Sequence, residues 1–587
     1  MKPNWIDLGP IAELPEGKPV LRQSGGRRYV CVREGGEVRA LDDRCPHQGY
    51  PLSQGKASEG VLTCEWHNWK FDLATGACLF GGEAARSYPT RIEEGRVLLN
   101  AAVDTAAEAR RLVAGLRDAL RENEPGRALR EGLRLGALGI SLEGDPLGPL
   151  YPAFELLARD GAERARYGFD HGLALLADLA AWVERGVIPA DEAFVVASQA
   201  IGEASQHLGP RAAPQKATSL VDARRLLTKI ADLDDDEPRK IAEALQGERR
   251  DEAEARMRSL VPTRGAQGAI DALMPFLCQH LYDYGHGAIF ATKACDLATR
   301  FPAAAVPLLA ALTVSLGWAT AETSLPPFTA TRAALARLAE AKLPAASGRE
   351  VAWDRRDYEA SVLAGEAQAA QATASRLAEG CDPLALLRGA AHAAATRLGR
   401  FDAAWEQRLD AEVTVLDVTH AVTFAEAAIA LAARGTRSQA GQLAVLAAAF
   451  VGKLKKADAA APPAAAPGAQ RAPSGAQDVL AAARSRDLAG ALAASRDLDR
   501  TARLAAYDAL APFAAFEATV RPIFTAHAVK VTESLRRLEV GDPEGDGTYL
   551  EALLTYLVPV RPEIHARRIA AVARKFLADG RPPEGLY

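Results

Sequence analysis

Residues 45–78 read CPHQGYPLSQGKASEGVLTCEWHNWKFDLATGAC, and what this stretch binds decides how the rest of the chain is understood. It contains two short pairs, Cys45-x-His47 and Cys64-x-x-His67, separated by residues 48–63. Thiolate and neutral imidazole are the side-chain donors that hold zinc and iron, and each pair is close enough to sit on one tight turn. Pro46 fixes the backbone inside the first turn, and Asp72 to Gly76 reads as a turn with an Asp start and a Gly finish. Zinc uses the same Cys2His2 set, but its usual order places both cysteines before both histidines, and here they interleave.

That interleaved order resembles a Rieske 2Fe-2S domain, in which two thiolates hold one iron and two imidazoles the other. Trp66-His67-x-Trp69-x-Phe71, followed by Asp72-x-x-Thr75-Gly76, resembles the run after the second ligand pair in bacterial Rieske ferredoxins and ring-hydroxylating oxygenases. The resemblance implies a 2Fe-2S cluster held by Cys45, Cys64, His47 and His67, with Trp66, Trp69 and Phe71 covering the second loop. Asn68 stands where glycine is usual. The extra cysteines of respiratory Rieske proteins are absent, since Gln48, Gly49 and Tyr50 follow the first pair and Glu65 and Trp66 lie within the second. The resemblance is thus to the ferredoxin and oxygenase type, with a potential toward the low end of the Rieske range, about −150 mV. Zinc remains the rival reading of the same four residues. Cys31 and Cys78 read as packed thiols.

Around this stretch the pattern is that of short strands. Arg28–Arg33 and Val38–Leu41 flank a Gly35-Gly36 turn, and a Glu94-Gly95 turn precedes Val97–Leu99, so a compact antiparallel β domain is expected over residues 1–103. From residue 104 the composition shifts to alanine, leucine and arginine with helical periodicity, as in HGLALLADLAAWVERG at 171–186. The expected fold class is α+β multidomain: the small β domain, then a large all-helical domain over 104–456. An Ala/Pro-rich linker, ADAAAPPAAAPGAQRAPSGA, follows at 457–476, and helices packed on the helical domain fill 477–587. Residues 220–262 are densely charged with alternating sign and read as a solvated helical hairpin.

Composition narrows the function. The 587-residue chain has a net charge of −5 and lacks a basic block, which excludes nucleic acid as an expected partner. Its seven cysteines are few and odd in number, and the start lacks an apolar signal core, so a cytoplasmic location is expected. The uncharged stretch 301–321 is long enough for a membrane span, but its alanines, Pro307 and Gly317 favour a buried core helix, and no membrane association is expected. There is no Gly-rich nucleotide loop after a strand, so bound NADH or FAD is not expected.

Eight histidines fall in the helical part. His171, His286, His392, His420 and His527 lie at or near the starts of apolar helices. His420 and His527 share the pattern His-Ala-Val-x-x-x-Glu, ending in Glu426 and Glu533. Asp283-x-x-His286 and Asp417-x-x-His420 place a carboxylate three residues before an imidazole, a spacing that suits metal ligation or an imidazole oriented by its carboxylate. The alternative for each pair is an Asp cap with a histidine in the first turn, and for His392 or His527 alone a satisfied core histidine. His207, His280 and His565 have polar or turn-like neighbours. Ligands to one metal must lie within about 4 Å of each other, which is the test of convergence.

Ring-hydroxylating oxygenases follow their Rieske domain with a mixed α/β domain whose iron is bound by two histidines and a carboxylate. Their Asp/Glu-x-x-His-x4-His signature is absent here, so the resemblance extends over about the first hundred residues only. The helix starts DYGHGAIF and DVTHAVTF resemble those of questin-oxidase-like proteins, which are flavin-free helical oxygenases. Together these resemblances imply an oxidoreductase. The cluster takes electrons from a separate flavin- or ferredoxin-type reductase and feeds an oxidative site for a small organic substrate, built on His171, His286, His420, Asp283 and Asp417, with a second non-haem iron centre as its metal. The alternative is a ferredoxin-type carrier or redox sensor whose helical part docks a partner.

Overall fold

A computed structural model describes residues 3–140, 144–165, 167–206, 234–318, 328–340, 353–459, 475–519, 521–561 and 567. It divides into two compact units, Met1–Glu143 and Gly144–Tyr587. The first unit begins with strands in three antiparallel sheets, and the second is built of helices, with one isolated β-bridge, Phe401 to Asp458, among its described residues.

In the first unit Trp5–Pro10, Arg96–Asn100 and Thr90–Glu93 form a three-stranded sheet, in that order. A second sheet orders Val20–Ser24, Arg27–Glu34, Glu37–Asp42 and Ser87–Tyr88, and a third Lys56–Ser58, Val61–Thr63, Lys70–Asp72 and Cys78–Phe80. The Gly35-Gly36 and Glu94-Gly95 hairpins form as the sequence predicts, with all four residues at positive φ, the geometry that suits the twist of the flanking strands. Alternation along Arg27–Glu34 splits its side chains between two cores. Val30 and Val32 join Leu41, Leu62 and Phe71, while Tyr29 and Cys31 join Val38, Val97 and Leu99. Cys31 is fully buried and Cys78 packs against the first of these cores.

The compositional shift at residue 104 and the division of the chain do not coincide. Helices Thr105–Arg121 and Pro125–Leu135 belong to the first unit. The second of them is tied to the strands by Glu83, whose wholly buried carboxylate accepts from Arg130 at 2.6 Å and Arg134 at 2.9 Å.

In the second unit four helices pack in a closed ring: His171–Glu184 on Tyr282–Arg300, that on Val415–Ala432, that on Pro522–Gly541, and the last back on the first. Their apolar faces bury Leu175, Ala291, Val422 and Val531 within the ring's packing. Pro522–Gly541, from the C-terminal segment, is a full member of this ring. The stretch expected as a buried core helix is one, Ala305–Trp318, with its last three residues outside the described set. Among the described residues one helix, Val415–Ala432, is long and apolar enough to cross a membrane, and 83% of it is buried inside the unit. Helices Glu237–Gln246 and Arg250–Leu277 form a hairpin, but the long helix packs on Ala305–Trp318 and Glu237 is buried against Arg256, so the expected solvated segment is covered on one side. Residues 220–233, 460–474, His207 and His565 lie outside the described residues.

Candidate metal centres

The two Cys/His loops of the first unit are copies of one turn. Gly49 N–H donates to Cys45 O at 2.8 Å and Cys45 N–H to Tyr50 O at 2.8 Å; Asn68 N–H donates to Cys64 O at 3.1 Å and Cys64 N–H to Trp69 O at 2.8 Å. The turn closes through a left-handed residue, Gly49 at φ 79° in one loop and Asn68 at φ 59° in the other. Asparagine is the residue after glycine that most readily takes this conformation, so the departure at position 68 leaves the loop geometry intact.

The turns bring the four side chains together. Cys45 and Cys64 are 2% and 1% exposed, His47 is half-buried and His67 exposed. The imidazoles meet edge to face with centroids 4.7 Å apart. Trp69 stacks on His47 at 4.6 Å, seated over Gly81, where a Cβ would stand 2.4 Å from the indole. Trp66 behaves differently from expectation: it is 52% exposed and stacks on Tyr50, so it flanks the site without sealing it, while Phe71 lies in the core. Burial pushes the Cys45 thiol up to about 12, the neighbouring Cys64 adds to the rise, and the backbone N–H groups of His47 and Gln48 oppose it. Two buried sulfurs in contact, with amides already aimed at one of them and a buried His47 Nδ1 that has no partner, lack a cation rather than a hydrogen bond. The donor set fits an iron–sulfur cluster with sulfurs inside and imidazoles outside. Arg134 also reaches this site, donating to the carbonyl of Pro46 at 3.1 Å.

Residues 4–89 match the Rieske [2Fe-2S] domain model. The anthranilate 1,2-dioxygenase ferredoxin subunit of Burkholderia cepacia is 37% identical over 98 residues, 16% of this chain and 91% of that protein. The chain belongs to the Rieske [2Fe-2S] family. The ferredoxin component of the naphthalene 1,2-dioxygenase/salicylate 5-hydroxylase systems of Ralstonia sp is 32% identical over 101 residues, 17% of this chain and 97% of that one. The oxygenase subunit of 3-chlorobenzoate-3,4-dioxygenase from Comamonas testosteroni is 41% identical over 81 residues, 14% of this chain and 18% of its own. Among solved structures, the Sphingomonas yanoikuyae B1 ferredoxin matches at 27% identity with a TM-score of 0.16, covering 17% of this chain and 100% of that one. The Rieske domain implies a 2Fe-2S cluster and an electron-transfer role, shared with ferredoxin and oxygenase components of dioxygenase systems. The same domain carries about a sixth of this chain, and the helical unit holds a histidine cluster of its own.

Beyond the Rieske domain, His171, His286, His420 and His527 converge inside the four-helix ring. His286 Nε2 lies 3.1 Å from His171 Nε2 and 2.9 Å from His420 Nε2, and His420 Nε2 lies 3.3 Å from His527 Nε2. The His171 and His527 rings close the circuit with centroids 4.6 Å apart. Ligand atoms of His171, His286 and His420 all lie within 4.8 Å of one another. Adjacent nitrogens on a metal with bonds of about 2.0–2.1 Å stand roughly 2.9–3.4 Å apart, the spacing of these three Nε2 pairs, and His527 joins the group of three through its contact with His420.

Each helix delivers its histidine differently. Asp170 caps the first helix by accepting from Leu173 N–H at 3.0 Å, placing His171 at the first helical position. His286 follows three successive left-handed residues, Asp283, Tyr284 and Gly285, at φ 43°, 58° and 82°. Backbone held in this region is strained for Asp and Tyr, and it brings the Asp283 carboxylate to His286 Nδ1 at 3.0 Å. His420 Nδ1 donates to Leu416 O at 2.6 Å and His527 Nδ1 to Ile523 O at 2.7 Å, each one turn back on its own helix. A carbonyl can only accept, so neutral His420 and His527 carry their proton on Nδ1 and turn bare Nε2 lone pairs toward the centre. Burial holds His171, His420 and His527 well below the usual imidazole range, with Lys530 or neighbouring histidines adding to the effect. His286 is lowered too, against the pull of Asp283.

Asp417 does not take the role expected of it. It accepts from Thr414 N–H at 2.6 Å and Thr414 Oγ1 at 2.8 Å as half of a capping box, and His420 is oriented by a backbone carbonyl instead. His392 stands apart between Glu359 and Asp546, and His280 faces Gln246 and Phe276. His527, read alone as a core histidine, is a full member of the cluster; its shared pattern with His420 was the usable signal. Lys530, one turn after His527, was missed. It is 1% exposed with no partner for Nζ, and burial brings its ammonium down to about 7.

Proposed function

We propose that the chain is an oxidoreductase that joins a Rieske electron-transfer module to a mononuclear non-haem metal centre, and that it oxidises a small organic molecule with O2. The four inward-facing Nε2 atoms of His171, His286, His420 and His527 carry this reading. Lone pairs this close repel unless a cation lies among them, and imidazole suits iron, copper, nickel or zinc. A redox-silent zinc gives the Rieske module nothing to reduce, so a redox-active metal, iron first, is the consistent choice.

In the Rieske module Cys45 and Cys64 would hold one iron and His47 and His67 the other, and the cluster would take electrons singly from a separate flavin- or ferredoxin-type reductase at the edge where His67 is exposed. A redox-active metal held by His171, His286, His420 and His527 would supply the site for reducing O2. Around it the chain's residues hold the imidazoles in one tautomer: Asp283 for His286, Leu416 O for His420 and Ile523 O for His527. Phe290, stacked on His286 at 4.7 Å, keeps water from one flank. Insertion of one oxygen consumes O2, two electrons, two protons and substrate, and releases water with the hydroxylated product.

The test combines the full-length protein, a generic NADH-dependent reductase and a panel of small aromatic and alicyclic compounds. The proposal expects O2 and NADH consumption that rises with one class of compound and is lost in His286→Ala. Consumption that no compound stimulates and that His286→Ala leaves unchanged overturns it in favour of an electron carrier.

A further inference from the structure

Beneath the histidines the same ring of helices carries a second polar layer that none of the roles above uses. Lys293 Nζ donates to Asp178 Oδ1 at 2.5 Å, and the two side chains are 1% and 0% exposed. Asp178 lies seven residues after His171 and Lys293 seven after His286, two turns or roughly 10 Å further along each helix. Glu533, six residues after His527, accepts from Trp182 Nε1 at 2.8 Å, Arg185 Nη2 at 2.7 Å and Arg537 Nε at 3.0 Å. Arg537 also reaches Asp296 at 3.4 Å, whose side chain is 46% exposed, so one end of the layer meets water.

Burying charge in an apolar bundle costs several kcal/mol per ion unless it is paired. Two atoms here are nonetheless left open: the acceptor Asp178 Oδ2 and the donor Lys530 Nζ, one turn after His527, whose charge bears on Asp178 and Lys293 as well as on all four histidines. A purely architectural layer has no use for an unsatisfied acid beside an unsatisfied base. Reduction of O2 does, because every electron pair delivered to oxygen needs protons, and His286, His420 and His527 lie buried in the ring while the one carboxylate bonded to them, Asp283, is held at His286 Nδ1.

We propose that Asp178, Lys293 and Lys530 form a proton relay that supplies the four-histidine centre. This rests on the reading that O2 is reduced there. Lys530 Nζ releases a proton toward the centre, the Asp178 carboxylic acid restores it from Oδ2 through an intervening water, and water entering from the Asp296 end returns the proton to Asp178 while Arg537 keeps its own. Lys293 stays charged and holds the Asp178 carboxyl in place. The acidities support the exchange. Burial pushes Asp178 up to about 6, against Lys293 and Arg537 and with Glu533, while Lys530 falls to about 7 under burial and Lys293, with Asp178 and Asp283 opposing.

The experiment is single turnover with iron-loaded, full-length protein. The Rieske cluster is reduced anaerobically, mixed with O2, and its reoxidation followed by absorbance from about pH 5.5 to 8.5 in H2O and D2O. In the wild type the rate should inflect between about pH 6 and 7 and slow in D2O. Asp178→Asn should keep the metal, reoxidise roughly tenfold or more slowly and lose the inflection. In metal-free protein the same variant should lose one carboxylic-acid C=O infrared band that titrates near pH 6. The double variant Asp178→Asn/Lys293→Met, which removes both charges of the pair, should fold, keep its metal and remain slow. Wild-type rate and pH profile in Asp178→Asn overturn the relay alone, as does loss of metal from both variants, which makes the layer a structural support. A wild type that holds no metal at its histidines overturns the functional reading and the relay with it.

Discussion

His420 Nε2 and His527 Nε2 face each other at 3.3 Å while the Nδ1 atom of each ring is bonded to a backbone carbonyl of its own helix. Neither ring then has a proton to place between them, and the same constraint extends through His286, whose Nδ1 is bonded to Asp283. Four helices are therefore packed against an arrangement of facing lone pairs, and a cation bound there would add its binding energy to the fold.

Thermal unfolding should follow metal occupancy. A metal present at a thousand times its dissociation constant stabilises the helical unit by about 4 kcal/mol. Chelation should lower the melting temperature, readdition of Fe(II) restore it, and the His420→Ala/His527→Ala variant respond to neither. A melting temperature indifferent to chelator and metal contradicts the site.

Gly285 is the position at which the backbone is least replaceable. It has φ 82°, and a Cβ there would stand 2.5 Å from Phe424 Cδ2. Gly285→Ala combines left-handed strain with overpacking and should destabilise the helical unit by about 2–4 kcal/mol. It should also weaken metal binding, because the left-handed run is what sets Asp283 and His286 together. Calorimetry and metal content on the variant check both effects.

At the Rieske site the Arg134 guanidinium donates to Pro46 O, inside the first cluster loop, and is itself fixed by Glu83. A positive charge and a donor at this loop favour the reduced cluster. Arg134→Met should lower the reduction potential by tens of millivolts, on the order expected for one partly screened charge. Arg134→Lys should recover part of the shift. Protein-film voltammetry reads it directly, and an unchanged potential shows the contact to be structural only.

His392 lies between Glu359 at 3.0 Å and Asp546 at 3.2 Å. Burial works to lower its pKa, but the two carboxylates override it and raise it from 6.5 to about 9. The folded value lies above the unfolded one, so the stabilisation is complete below about pH 6.5 and is lost as pH rises through 9. Allowing for Asp546, whose side chain is 63% exposed, the effect is about 1–2 kcal/mol. Chemical denaturation should show stability falling between about pH 6.5 and 9.5, and His392→Gln should flatten that fall.

The two centres differ in how far they could be read from the sequence. Cys45, His47, Cys64 and His67 are rare residue types at short fixed spacing, so local geometry alone brings each pair together, and Asn68 preserves the turn because it tolerates the same left-handed backbone. The helical centre draws on positions 171, 286, 420 and 527, and no local rule says which faces of four distant helices meet. Asp417 shows the opposite fault. Thr414-x-x-Asp417 has the form of a capping box, a local signal that outweighed the appeal of Asp-x-x-His. Asp178 and Lys293 carry no motif of their own, although a charge seven residues after a histidine on an apolar helix shares its buried face. The edge of the first unit was hidden for a related reason. Composition changes at residue 104, but Glu83 binds Arg130 and Arg134 across that change.

Metal and acid-labile sulfide per chain, measured together on anaerobically reconstituted protein, test the central claim most directly. Two centres in one chain predict two sulfides and three metal ions, falling to two and two when His420 and His527 are both replaced by alanine. Two sulfides with only two metal ions in the wild type would contradict the account, leaving the four histidines a feature of packing and the chain a Rieske electron carrier.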